Sequence, residues 1–132
     1  MNMTGHCLCG SVKLRTDAAP IKAMHCHCSM CRRHSGAAFL TYVLFPASAV
    51  HFTGKPLVAY KSSDVARRSH CGTCGSPVSF VYETEPENIY IPVGILDQAA
   101  SVAPQEHWYA DCMLPWLHLD DGLPRHETLP NS

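Results

Sequence analysis

The sequence is poor in charge and has no excess of either sign. Ten lysines and arginines stand against eleven aspartates and glutamates in 132 residues, which gives a net charge of −1. Charged residues make up 16% of the chain, whereas about 25% is typical of globular domains. Binding to nucleic-acid phosphates depends on clustered positive charge. The composition therefore argues against a nucleic-acid partner.

The sequence also lacks a long apolar run. The longest uncharged stretch, residues 35–54, contains Gly36, Pro46 and His51, whereas a membrane-spanning helix needs about 20 mostly apolar residues. The first ten residues have neither the basic segment nor the apolar stretch of a signal peptide. We therefore expect no membrane partner and a cytoplasmic location, where clustered cysteines are more often metal ligands or catalytic groups than disulfides.

A long helical period is absent, and most apolar residues alternate with polar ones. Val12 and Leu14 follow this pattern, as do Val78, Phe80 and Tyr82, and such alternation is typical of β-strands. Residues 39–45 and 89–96 are apolar at nearly every position, which predicts strands buried on both faces at the centre of a sheet. Weaker strand candidates are residues 23–26, 57–60, 66–70 and 107–110. Residues 29–34 are the one short helix candidate, with Ser29 as its cap. The sequence predicts a mainly β fold in one domain, residues 1–132.

Cysteine and histidine are plentiful, with eight and nine copies. Cys71 and Cys74 are separated by two residues, the spacing at which one tight turn presents two thiolates to zinc. Gly72 and Gly75 strengthen this prediction, because glycine tolerates the sharp backbone turn around a metal. A four-thiolate site needs a second pair, and Cys7 with Cys9 is the natural donor. Such a site would hold remote parts of the chain together.

A second group of cysteines, Cys26, Cys28 and Cys31, has no fourth cysteine nearby. Three protein ligands leave one position of a zinc tetrahedron open, as in catalytic sites, whereas structural sites are closed by four ligands. Two other interpretations remain: a histidine at 25, 27 or 34 completes a closed structural site, or the cysteines form a redox switch. The eighth cysteine, Cys112, stands alone, and we expect it to be a small buried apolar side chain.

Four motifs carry a family resemblance. They are Cys7-Leu8-Cys9-Gly10-Ser11-Val12, Cys26-His27-Cys28-Ser29-Met30-Cys31-Arg32-Arg33, Ser35-Gly36 and Cys71-Gly72-Thr73-Cys74-Gly75-Ser76. In this order they resemble the glutathione-dependent formaldehyde-activating enzyme family, also called the centromere protein V family. The likeness extends to residues 94–97 and 104–108, and to Trp116 with Leu123 and Pro124. The sequence departs from the family at His70, where relatives commonly have an aromatic residue, and the chain is short beside formaldehyde-activating members.

The resemblance implies a Mss4-like fold, in which twisted antiparallel β-sheets are held together by a four-cysteine zinc site, and carbon–sulfur lyase activity. It assigns Cys7, Cys9, Cys71 and Cys74 to a structural zinc and Cys26, Cys28 and Cys31 to a second zinc. The expected cofactor is therefore zinc, two per chain, with the second labile. The expected partners are a small thiol such as glutathione and a small aldehyde such as formaldehyde.

Three further residues are candidates for roles in this chemistry. Cleaving a carbon–sulfur bond needs a proton donor, and His27 is the nearest in sequence to the second zinc cluster. The favoured alternative is that His27 points away and donates to a backbone carbonyl or hydrogen-bonds a thiolate sulfur. Arg32 and Arg33 follow Cys31 directly and are candidates to bind the carboxylates of a glutathione-like substrate, since a guanidinium matches carboxylate geometry; the alternative is a solvated surface pair. The alternatives to an enzyme are a zinc-stabilised binding module and a thiol redox sensor.

Overall fold

The fold is built from ten β-strands and one short α-helix. In the computed structural model, residues 2–130 are described, so the first residue and the last two residues of the predicted domain lie outside the described residues. The strands are β1 (Thr4–His6), β2 (Val12–Thr16), β3 (Lys22–Cys26), β4 (Leu40–Pro46), β5 (Val50–Gly54), β6 (Leu57–Ser63), β7 (Ala66–Cys71), β8 (Pro77–Tyr82), β9 (Asn88–Pro92) and β10 (Glu106–Trp108). The helix is α1 (Ser29–Ser35). None of the helices in this part of the chain is long and apolar enough to cross a bilayer.

The strands form two sheets. A three-stranded sheet has the order β1-β2-β5, and a seven-stranded sheet has the order β10-β3-β4-β9-β8-β7-β6. All paired strands are antiparallel except β10 and β3, which run parallel. Strands β4 and β9 lie side by side near the middle of the larger sheet, as their continuous apolar sequences predict.

The side chains of β4 explain why its sequence does not alternate. Val43 and Phe45 belong to a core on one face of the large sheet, together with Leu14 of the small sheet. Tyr42 and Leu44 belong to a second core on the other face. Because successive side chains of a strand point to opposite faces, a strand covered on both sides needs an apolar residue at nearly every position.

The structure corrects several details of the predicted elements. Strand β9 ends at Pro92 and is followed by a short 3₁₀ turn, so the apolar run 89–96 is only half strand. Helix α1 begins with Ser29 as its first helical residue, whereas Cys28 occupies the cap position without a side-chain hydrogen bond. Strands β1 and β5 were not predicted: β1 is only three residues long, and in β5 the alternation of Val50 and Phe52 with His51 and Thr53 covers only four residues and was overlooked.

Candidate metal centre and adjoining cavity

The four-cysteine cluster of Cys7, Cys9, Cys71 and Cys74 joins the two sheets. Cys7 and Cys9 lie in the turn between β1 and β2, and Cys71 and Cys74 lie at the turn between β7 and β8. The two turns fold alike: the amide of Gly10 donates to the carbonyl of Cys7 at 3.0 Å, and that of Gly75 donates to the carbonyl of Cys71 at 2.9 Å. Both glycines have φ of 79°, which a side chain would strain. Gly72 does not need this freedom.

The geometry of the four-cysteine cluster fits a tetrahedral metal site. Its four sulfur atoms all lie within 4.8 Å of one another. The Sγ atoms of Cys7 and Cys9 are 3.6 Å apart, and those of Cys9 and Cys71 are 3.8 Å apart. Thiolates about 2.3 Å from zinc at tetrahedral angles are separated by about 3.8 Å. The four-sulfur donor set and its spacing are therefore compatible with zinc.

Neighbouring hydrogen-bond donors favour the thiolate forms of Cys71 and Cys74 in this cluster. The Ser11 hydroxyl lies 3.3 Å from the Cys71 sulfur, and the amides of Thr73 and Cys74 donate to the same sulfur. These contacts, that of Ser11 first, lower the pKa of Cys71 to about 5. The Ser76 hydroxyl, 3.1 Å from the Cys74 sulfur, lowers the pKa of Cys74 to about 7. Since metals bind thiolates, the surroundings prepare these sulfurs for a cation.

The three-cysteine cluster, Cys26, Cys28 and Cys31, has a different environment. Cys26 ends β3, Cys28 precedes α1, and Cys31 is in its first turn. The Cys31 thiol donates to the Cys26 sulfur at 3.4 Å, but within residues 2–130 the four-cysteine cluster is the one group whose potential ligand atoms all lie within 4.8 Å of one another. The burial of Cys28 and a hydrogen bond to Cys31, the larger effect, raise the pKa of Cys28.

All three of these cysteines line one cavity of about 150 Å³. The opposite walls come from β7, β8, β9 and β10, and they are mainly aromatic. The aromatic lining residues are Tyr42, Phe80, Tyr82, Tyr90, Trp108 and Tyr109. The cavity thus places thiols against an apolar space large enough for a small ligand.

Arg68 is the charged residue that lines this cavity. It is only 3% exposed, and its guanidinium donates to the Cys31 sulfur at 3.6 Å and to the Tyr42 hydroxyl at 3.0 Å. It also lies 4.6 Å from the ring centre of Phe80. No carboxylate among residues 2–130 forms an ion pair with it. A buried cation without an acidic partner favours negative charge on neighbouring sulfur or on a ligand.

Comparison with known proteins identifies the family. The model of the family described as glutathione-dependent formaldehyde-activating enzyme matches residues 2–111. The chain belongs to this family. The motifs noted in the sequence up to residue 108 lie within the match, whereas Trp116 and the pair Leu123 and Pro124 lie beyond it.

Two known proteins are similar to this chain, one in sequence and one in structure. A Schizosaccharomyces pombe protein named as an uncharacterized lyase is 30% identical over 86 residues, which cover 65% of this chain and 61% of the relative. The chain thus spans less than two thirds of that relative's length. The crystal structure of a Rhodobacter sphaeroides protein superposes with a TM-score of 0.62 at 26% identity, covering 77% of this chain and 98% of that one.

The three predicted site residues that are not cysteines, His27, Arg32 and Arg33, lie in different places. His27 is fully buried and does not line the cavity; its Nε2 atom lies 2.8 Å from Nδ1 of His107, whose Nε2 lies 2.8 Å from Asp121. Burial, and then the nearby His107, lower the pKa of His27 to about 4. His27 therefore does not face a ligand in the cavity, and its recorded side-chain partner is His107, whereas its Nδ1 atom has no hydrogen-bond partner among residues 2–130. Support of the cysteine cluster by His27 stays a prediction.

The two arginines after Cys31 share one groove, which they line beside Trp116. Arg33 also lines a second, shallow groove together with Met30 and Arg68, both of which line the cavity as well. Cys112 is exposed, which corrects the expectation that it is buried.

Sequence reasoning missed the importance of Arg68, although a pattern in the sequence pointed to it. In β7, Ala66 and Arg68 share one face and Arg67 occupies the other. Because Ala66 is apolar, the alternation places Arg68 on the buried side. No sequence pattern indicated the hydrogen-bonded series of side chains His27, His107 and Asp121, since it depends on the parallel pairing of β10 with β3.

Proposed function

We propose that this protein is a zinc-dependent carbon–sulfur lyase that forms or cleaves thiol–carbonyl adducts such as S-hydroxymethylglutathione. Membership of the family and the lyase name of the yeast relative support this activity. The observation that carries the proposal is the position of Cys26, Cys28 and Cys31 on the wall of a cavity. Thiols facing an enclosed space are available to a ligand, whereas those of the four-cysteine cluster face one another.

In this proposal the protein holds two zinc ions with different tasks. Cys7, Cys9, Cys71 and Cys74 bind a structural zinc that ties the small sheet to the large one. Cys26, Cys28 and Cys31 would hold a second zinc, and three protein ligands would leave a position for a substrate thiol. When bound there, zinc supplies a Lewis acid that lowers the pKa of a substrate thiol.

The reaction adds a thiol to a carbonyl group. A bond forms between sulfur and the carbonyl carbon, and the thiol proton ends on the carbonyl oxygen; cleavage reverses both changes. Arg68 is placed to orient the reacting groups, because its guanidinium lines the cavity beside Cys31. Arg33, in the adjoining groove, is placed to bind a carboxylate of glutathione. None of the eight cysteines, all within residues 2–130, forms a disulfide, which supports a reducing location such as the cytoplasm.

The first experiment measures zinc per chain by elemental analysis, with and without excess glutathione, and then adduct formation from glutathione and formaldehyde. Two zinc ions per chain and a rate above the uncatalysed reaction support the proposal. One zinc that is lost only on unfolding, with no rate enhancement, contradicts it and leaves a zinc-stabilised binding module.

A second candidate function is a thiol redox sensor, favoured by the 3.4 Å contact between the sulfur atoms of Cys26 and Cys31. Peroxide would oxidise the two thiols to a disulfide while being reduced to water. Mass spectrometry after mild peroxide treatment tests this: a Cys26–Cys31 disulfide that dithiothreitol reverses supports a sensor, and irreversible oxidation contradicts it.

A further inference from the structure

We propose that the cavity beside the three-cysteine cluster binds a ring-sized apolar group of the substrate, adjacent to the reacting thiol or carbonyl carbon. The inference rests on the proposed function in so far as it calls the ligand a substrate. The binding of an apolar ring depends on the cavity alone. It narrows the substrate class from small thiols and aldehydes in general to adducts in which one component carries an aromatic or similarly compact apolar group.

The size of the cavity is the first argument. Its volume of about 150 Å³ is that of cavities which, when lined by apolar side chains, hold one benzene molecule. Formaldehyde has no apolar group to place there. An unfilled apolar space forfeits dispersion contacts along its whole lining, so a substrate that fills it gains affinity that a smaller one does not.

The chemistry of the walls is the second argument. Phe80, Tyr90 and Trp108 are each less than 10% exposed and present apolar surface to the cavity. They offer little to the two carboxylates and the charged amine of glutathione, which lose hydration in such surroundings. A ring bound there exchanges water for aromatic contacts. Arg68 is the charged residue of the cavity lining, and it also lines the groove of Arg33. The peptide part of a glutathione-like thiol therefore belongs on the side of Arg68 and Arg33, away from these rings.

The rigidity of the walls is the third argument. Phe80 and Tyr82 meet edge to face with ring centres 4.7 Å apart, and Tyr90 meets Trp108 in the same manner at 5.8 Å. The guanidinium of Arg68 packs over the ring of Phe80. Interlocked rings cannot readily collapse into the space, so the cavity is available without reorganisation of the protein.

The position of the cavity fixes what the ring is attached to. The same space is lined by Cys28 and Cys31 and by the aromatic rings. A group that fills it therefore lies next to the atom held at the cysteines. That atom is either the sulfur of a thiol or the carbon of a carbonyl compound.

Trp108 provides a direct measurement of binding. The chain has two tryptophans, and Trp116 is 65% exposed and does not line the cavity. In Trp116→Phe, fluorescence reports Trp108 alone. Titration with benzyl alcohol, which has neither a thiol nor a carbonyl group, is expected to give a saturable change at a concentration at least about tenfold below that of ethanol.

Two further substitutions in this background locate the binding. Val65 lines the cavity and is 43% exposed, so Val65→Phe fills its mouth without entering the core. We expect it to raise the half-saturating concentration of benzyl alcohol at least about tenfold. Ile21→Phe is the matched control, because Ile21 is 52% exposed and does not line the cavity; it should change that concentration by less than about twofold. The absence of a saturable signal, or equal effects of the two substitutions, overturns the inference.

Adduct formation then shows which component carries the ring. The arms are glutathione with benzaldehyde, benzyl mercaptan with formaldehyde, and glutathione with formaldehyde, each compared with its uncatalysed rate. A rate enhancement at least about tenfold greater in one ring-bearing arm supports the inference. Catalysis of the glutathione and formaldehyde arm alone overturns it and leaves the proposed function intact. Saturable binding of benzyl alcohol without catalysis in any arm supports the apolar site and contradicts the proposed function.

Discussion

The two cysteine clusters use the same side chain in opposite surroundings. In the four-cysteine cluster, backbone amides and the hydroxyls of Ser11 and Ser76 point at the sulfurs, and the sulfurs face one another. In the three-cysteine cluster, the sulfurs face an aromatic cavity and the guanidinium of Arg68. In the first arrangement the protein itself supplies hydrogen-bond donors to the sulfurs. In the second the sulfurs are accessible to a ligand in the cavity.

The pKa values differ between the cysteines within each cluster. Ser11 and nearby amides lower the pKa of Cys71 to about 5, whereas the pKa of Cys9 in the same cluster is raised. In the other cluster the contact with Cys31 and burial raise the pKa of Cys28, whereas the hydrogen bond with Cys31 lowers that of Cys26. The neighbours of each sulfur, and not the spacing of the cysteines in the sequence, therefore set how readily it becomes a thiolate.

The largest effect is expected at the four-cysteine cluster. Cys71→Ser removes one of four ligands from the site that joins the sheets, and we expect it to lower the free energy of unfolding by more than about 3 kcal/mol, measured by urea denaturation. Cys112→Ser is the control, because Cys112 is exposed and belongs to neither cluster; its effect should stay below about 0.5 kcal/mol. Unchanged stability in Cys71→Ser would show that the cluster does not hold the sheets together.

The three-cysteine cluster should respond in activity and not in stability. Cys28→Ser removes a thiol from the cavity wall, and we expect adduct formation to fall at least about 100-fold. The free energy of unfolding should change by less than about 1 kcal/mol, because Cys28 is only partly buried. A loss of stability as large as that of Cys71→Ser, with retained activity, would make the two clusters equivalent.

The adjacent arginines of β7 sharpen the comparison further. Arg68→Lys keeps the positive charge but loses the fork that contacts both Cys31 and Tyr42, so we expect adduct formation to fall about tenfold. Arg67→Lys is the matched control, since Arg67 is exposed and pairs with Glu83, and surface pairs contribute little. Equal activities of the two variants would show that the guanidinium of Arg68 does not contribute to the reaction.

The smallest effect concerns the side of the three-cysteine cluster that faces away from the cavity. Burial lowers the pKa of His27 from 6.5 to about 4, so the unfolded chain binds a proton in this interval that the folded protein does not. The contribution to stability is present above pH 6.5 and is lost as the pH falls toward about 4. We expect Tm to fall less steeply across this interval in His27→Gln than in the wild type.

His51→Gln is the control for this pH dependence, because His51 lies in a partly exposed ion pair with Asp17 and outside both clusters. Between pH 6.5 and about 4 the Tm of His51→Gln should fall as steeply as that of the wild type, because His27 is still present. Parallel profiles for wild type and His27→Gln would show that His27 is not held neutral by the fold.

Local patterns made much of the fold predictable. Alternation located β2 and β8, and continuous apolar sequence located β4 and the first half of β9, because both patterns follow from which faces a strand buries. The length of β9 was overestimated, since the residues of the following 3₁₀ turn are also apolar. Strand β1 was missed because three residues are too few to establish a period.

The candidate site was predictable where spacing determines it. The pairs Cys7 with Cys9 and Cys71 with Cys74 were predicted to converge, and the structure brings them together. No sequence pattern indicated the aromatic cavity, because its lining comes from strands distant in sequence. The same holds for Asp121, which reaches His107 through a loop with no regular pattern.

The separation of the two cysteine turns along the chain has a consequence for how the protein reaches its native state. Cys9 and Cys71 meet across 62 positions, and closing a loop of that length is entropically costly and slow. Each turn, by contrast, is local and presents two sulfurs on its own. A metal captured by one turn can therefore recruit the other, and we expect the rate of refolding to rise with the concentration of free zinc.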